Sequence, residues 1–181
     1  MILRLFGKDP RRETIAALYE RVAAASRAPG LYLQLGVPDT VEGRFESLSL
    51  HVMLVLRALR VLPPPADEVA RDLADALFRD LDAALREMGV GDTSVPKRMK
   101  TLAEAFYGRA RAYDAPLDAG DARDLSESLG RNVLGREGPA DPLARYALEA
   151  DRRLRMQDLD GLLRDGPQFP DPDAVAREDT P

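Results

Sequence analysis

The sequence has no cysteine, a single histidine, and only three lysines among 26 basic residues. The missing cysteine excludes disulfides, thiolate metal sites, iron–sulfur clusters and cysteine nucleophiles. One imidazole, His51, argues against most transition-metal sites and against Ser–His–Asp chemistry. Long hydrophobic runs are missing too. The longest uncharged apolar stretch, Leu48 to Leu56, is far too short to span a bilayer, and Arg57 and Arg60 follow it. The opening MILRLFGKDP is too short in apolar residues for a signal peptide or a spanning helix. The expected location is cytoplasmic, or at most peripheral on the cytoplasmic face of the inner membrane. The net charge of -5 advertises no global attraction to nucleic acid.

What is present is a soluble globular balance: 181 residues, 45% apolar and 31% charged, enough for one domain with its own core. Apolar residues recur at helical spacing in nearly every segment, and no alternating run suggests a strand. A first helix opens at Asp9-Pro10 and carries Ile15, Leu18, Tyr19 and Val22 before Pro29-Gly30. Leu31 to Leu35 reads as either extended chain or a packed connector. A second helix begins after Pro38, with Asp39 and Glu42 as a capping box. Its residues Phe45, Leu48, Val52, Val55, Leu59 and Leu62 form one apolar stripe, and Leu50, Leu54 and Val61 form another. Two apolar faces predict a central helix; the alternative is that one face is a docking surface.

After the break at Pro63-Pro64-Pro65, a third helix runs from about Asp67 to Met88. It buries Val69, Leu73, Ala76, Leu77, Leu81, Leu85 and Met88, and Gly89 caps it. A fourth begins near Pro96 and presents Met99, Leu102, Phe106, Ala110 and Tyr113. A fifth covers about Asp121 to Leu134, with Leu125, Leu129 and Val133 inward. A sixth runs from Pro142 to about Leu163. From Gly166 the chain is rich in proline and acid and reads as disordered. The fold class is therefore all-α: a single compact bundle of about six helices over residues 1–165, with a flexible acidic tail over 166–181.

Several features carry possible chemistry. His51, between the two stripes, is either a buried histidine with a hydrogen-bond partner, an axial haem ligand or a client contact. Leu85 to Asp92 looks superficially like a phosphate loop, but its glycines follow a helix and no Gly-Lys-Ser/Thr is present. It reads as a cap and tight turn, held by Asp92 or by an Arg86–Asp92 ion pair. Pro96-Lys97-Arg98-Met99-Lys100 is the one local basic cluster, and Arg109 and Arg111 lie about three turns further along the same helix. Cations at a helix N-terminus oppose its dipole, which points to an anionic partner: an acidic protein surface, RNA phosphates or lipid headgroups. The competing reading is a solvated face with pairs such as Lys100–Glu104. Gly43 and Gly108 sit within helices, which implies either tolerance or the close approach of another backbone.

Together these stretches resemble the ubiquinol–cytochrome c chaperone family. The match is carried by Gly36 to Thr40, Gly43 to Glu46, Leu50-His51, Leu85 to Asp92, Pro96 to Lys100, Ala105 to Arg109 and Arg131 to Val133. It covers about the first three quarters of the chain and is similar to bacterial members, as in alphaproteobacteria. The resemblance implies an all-helical assembly factor of the bc1 complex and not an enzyme, with no cofactor of its own. Its implied client is newly made cytochrome b or another bc1 subunit, held until haem is in place. A small helical co-chaperone and the ribosomal exit-tunnel region are further implied partners. The polar residues of the matching stretches and the basic cluster give the partner-binding set: Arg44, His51, Arg86, Asp92, Lys97, Arg98, Lys100, Tyr107 and Arg109. Competing functions are haem handling through His51, a ribosome- or RNA-associated helical module, and, last, an enzyme, for which no nucleophile–base pair or cofactor fingerprint is visible.

Overall fold

The computed structural model describes residues 10–177. Nine helices and no strand are present among them: α1 (Pro10–Ala25), α2 (Pro29–Leu33), α3 (Val41–Arg60), α4 (Ala66–Glu87), α5 (Val95–Ala119), α6 (Ala122–Asn132), α7 (Asp141–Arg155), α8 (Leu159–Arg164) and α9 (Pro172–Arg177). Six of these have eleven or more residues and correspond to the six predicted rods. α3 is the axis, packing against α1, α4, α5 and α7. Its doubled apolar pattern is explained by this placement: Leu48, Leu50, Val52, Leu54, Val55 and Leu59 are all buried, while Val61, just past the helix end, is exposed.

Local chemistry sets the boundaries. Thr40, not Asp39, caps α3; its hydroxyl accepts from the Gly43 N–H at 3.0 Å. The predicted Asp39–Glu42 box fails because the Asp39 carboxylate is engaged by Arg44 at 2.7 Å. A Cβ on Gly43 would lie 2.0 Å from the Pro38 carbonyl oxygen, so the chain entering α3 fits only against glycine. Gly108 has no such neighbour within the chain. Gly89, at φ 79°, ends α4 in the left-handed conformation. Met88, predicted inward, is instead 55% exposed at that cap. Leu31 to Leu35 belongs in part to the short helix α2, with Leu31 and Leu35 buried and Leu33 outward.

Two larger corrections concern the C-terminal part. The predicted sixth helix is two helices, α7 and α8, because Asp158 caps a new one by accepting from the Gly161 N–H at 2.7 Å. The segment from Gly166 is not a free tail through residue 177. The Gln157 side chain donates to the Gly166 carbonyl at 2.9 Å and accepts from the Gln168 N–H at 2.9 Å. Pro172 and Val175 are buried, and α9 packs on α2 and α7. Composition misled here: Phe169 and Val175 supply the buriable surface, and the prolines reduce the entropy lost on ordering. Asp9 and residues 178–181 lie outside the described residues.

Candidate functional site

The predicted partner residues fall into three environments. His51 is in the core. It is fully buried, its Nδ1–H donates to the Ser47 carbonyl at 2.7 Å, and its Nε2 accepts from the Tyr146 hydroxyl at 2.8 Å. The Phe169 ring lies against the imidazole, tilted by 58° with centroids 4.7 Å apart. Burial pushes the pKa of His51 down to about 4, opposed by the Ser47 hydrogen bond. With both nitrogens engaged and no exposed edge, His51 offers neither a haem ligand nor a client contact; of the readings made from sequence, the buried, hydrogen-bonded histidine is the one observed. Arg109 is also drawn inward, forming a 2.5 Å salt bridge with Glu46 on α3. Burial lifts the Glu46 carboxyl to about 7 even though Arg109 opposes the shift.

Arg44, Arg86 and Asp92 are exposed but occupied. Arg44 holds Asp39, and Arg86 bridges Asp82 at 2.7 Å and Asp92 at 2.5 Å. The Arg86–Asp92 pair braces the turn between α4 and α5, the structural role that the residue pattern suggested.

Lys97, Arg98, Lys100 and Tyr107 form the third group, on the exposed side of α5. Lys97 and Arg98 have no ion-pair partner among the described residues, and Lys100 reaches only Glu104, at 3.8 Å with both side chains exposed. Exposed pairs of this kind contribute little. Tyr107 is 52% exposed, its ring 6.1 Å from Phe78 on α4 and 5.3 Å from Phe106.

Tyr107 also edges a groove between α3 and α5. This cavity of about 150 Å³ is lined by Met53, Leu56, Phe106, Ala110 and Leu117 among others, with Arg60 and Asp114 at its rim. The volume suits one or two apolar side chains and not a whole helix. Full burial of one such side chain is worth roughly 1.5–3 kcal/mol, so tight binding needs contacts beyond the groove itself. A wider cleft of about 810 Å³ lies between α6 and α7, lined by Arg123, Arg131, Arg145, Glu127 and Asp141, with charges of both signs.

Beneath the groove lies a charge cluster that sequence reasoning missed. Arg57 of α3, 5% exposed, holds Asp114 and Asp118 of α5 and Asp151 of α7, the latter two at 2.8 and 3.0 Å. Arg155 closes it, reaching Asp118 at 2.7 Å and Asp151 at 2.9 Å. The hydrogen bonds from Arg155 and Arg57 hold the Asp118 carboxyl below its ordinary range. The available signal was an arginine directly after the apolar run Leu48 to Leu56 and level with its buried stripes; a buried charge needs partners. Among the described residues no cluster of potential ligands could hold a metal ion, and no helix is long and apolar enough to cross a membrane.

Comparison with known proteins agrees with this fold. The solved Cbp3 homolog from Brucella abortus is 40% identical, superposes with a TM-score of 0.80, and the match covers 90% of this chain and 92% of that one. The ubiquinol-cytochrome-c reductase complex assembly factor 1 of Xenopus laevis is 26% identical over 126 residues, which is 70% of this chain. The matched region spans 62% of that relative's length. The family model for ubiquinol–cytochrome c chaperones matches residues 33–169, a span that runs from the end of α2 to Phe169 over His51 and includes every helix that builds the groove. With the fold and the greater part of the sequence in agreement, the chain belongs to the ubiquinol–cytochrome c chaperone family, a family of assembly factors and not of enzymes.

Proposed function

We propose that this protein holds newly made cytochrome b on the cytoplasmic side during assembly of the bc1 complex. The groove between α3 and α5 takes an apolar side chain of a client segment. The observation that carries this reading is the juxtaposition, on one helix, of the groove-lining Tyr107 and Ala110 with the unpaired cations Lys97 and Arg98. Apolar insertion supplies a modest affinity, and the charged flank supplies orientation and encounter rate. Weak, reversible gripping suits a chaperone, whose client must leave for the finished complex. The family supports a client from the bc1 complex, and the apolar lining of the groove favours a membrane-embedded subunit such as cytochrome b. A small apolar slot suits a client segment rich in lipid-facing side chains.

A photo-crosslinking amino acid at position 107 tests this in the native host. The expected product is an adduct with cytochrome b, sequenced by mass spectrometry and lost when Ala110→Arg fills the groove. Adducts only with proteins outside the bc1 complex would refute the assignment.

A further inference from the structure

The α4–α5 hairpin extends past the main core. Arg109 is level with Glu46 near the start of α3, yet α5 begins fourteen residues earlier, at Val95. At the helical rise this is about 20 Å of helix beyond that contact. Leu85 and Val95, which pack within this extension, are buried but lie outside the main hydrophobic cluster. Its tip is Met88-Gly89-Val90-Gly91, with Met88 largely exposed. Residues 86–100 carry four cations (Arg86, Lys97, Arg98, Lys100) against two anions (Glu87, Asp92), a local +2 in a chain of net charge -5. Asp92 is already bridged by Arg86.

We infer that this hairpin tip docks on an anionic lipid surface, Met88 entering the interface while Lys97, Arg98 and Lys100 meet the headgroups. Three features favour lipid over nucleic acid or an acidic protein. The cluster uses two of the chain's three lysines. Lysine is a mobile point charge that suits the shifting headgroups of a fluid lipid surface, whereas a fixed phosphate or carboxylate fork is better met by arginine, which this chain uses almost everywhere else. An exposed apolar tip beside the cations matches an interface with an apolar layer beneath a charged one. The glycines on either side of Val90 let the turn flatten without side-chain obstruction. The inference rests on the chaperone reading in one respect: it holds the groove about 20 Å from the surface where a membrane subunit is inserted.

Sedimentation of the full chain with phosphatidylcholine vesicles, with and without phosphatidylglycerol, tests it. Each cation near an anionic surface is worth about a fivefold gain in partitioning, so binding should be on the order of a hundredfold stronger to the anionic vesicles. It should be lost in K97E/R98E/K100E and fall about tenfold or more in Met88→Glu. These side chains are exposed, and unchanged circular dichroism and melting would show both variants folded. Ala110→Arg, which blocks the groove, should bind vesicles normally, so loss of the client function and loss of docking are separable. The inference is overturned if anionic vesicles bind no better than neutral ones, if either tip variant binds as the wild type does, or if polyuridylate binds more tightly than the anionic vesicles.

Discussion

Removing Arg57 perturbs three helices at once. Its guanidinium joins α3 to Asp114 and Asp118 of α5 and to Asp151 of α7. In Arg57→Ala the three carboxylates do not suffer equally. Asp118 is 55% exposed and Asp114 34%, so water replaces much of what they lose; Asp151, at 8%, stays buried and keeps only Arg155. Stranding one buried charge costs roughly 3–5 kcal/mol, and the surviving Arg155 contact places the expected loss near the lower end, about 3 kcal/mol. The same logic makes the pair replaceable. Arg57→Met combined with Asp151→Leu removes both buried charges and should return to within about 1 kcal/mol of wild type. Arg57→Lys should lie between, because one ammonium cannot serve three separated acceptors. Urea denaturation followed by far-ultraviolet circular dichroism measures all three. A loss below about 1 kcal/mol in Arg57→Ala, or a double variant no more stable than that single one, would refute the reasoning.

Two glycines give opposite expectations. In Gly43→Ala the new methyl meets the Pro38 carbonyl, and the cost of roughly 1–3 kcal/mol should exceed the gain in helix propensity; in Gly108→Ala nothing opposes that gain of about 1 kcal/mol, so thermal melting should shift down for the first and up for the second. Two buried groups should oppose each other in pH dependence. His51, lowered from 6.5 to about 4, binds its proton less readily in the folded state and removes stability as pH falls between those values. Glu46, raised from 4.5 to about 7, holds its proton more readily in the folded state and removes stability as pH rises between those values. Wild-type stability should be nearly flat from pH 4.5 to 6.5, whereas Glu46→Gln should lose stability on acidification with a slope approaching 1.4 kcal/mol per unit. A Glu46→Gln profile parallel to wild type would contradict this account of the α3–α5 contact.

The sequence was most legible where one rule acted alone. The double stripe of α3 marked the central helix because only a helix surrounded by others can bury two faces. Gly89 and Asp121 marked helix ends because their roles depend on the adjacent backbone only. Competition between local and distant partners hid the rest. Asp39 looked like a cap until Arg44 claimed it, and Asp158 interrupted a helix whose apolar spacing continued across the break. Arg57 has partners 57, 61 and 94 residues away, so spacing within α3 gave no warning of them. His51 was visible as an unusual residue, but its burial depends on Tyr146 and on Phe169, the latter in a segment whose composition suggested disorder. The exposure of Lys97, Arg98 and Lys100 together was legible because their clustering at the start of α5 is itself a local property. Arg109 fell outside that group only because Glu46 on a different helix turns it inward.

Deleting the gene in the native host and restoring it as wild type or as Ala110→Arg tests the central claim most directly, with haem-stained cytochrome b and assembled bc1 complex as the readouts. The account predicts that the deletion depletes the complex, that wild type restores it, and that the folded groove variant does not. Normal abundance of the complex in the deletion strain, or full restoration by the groove variant, would contradict it.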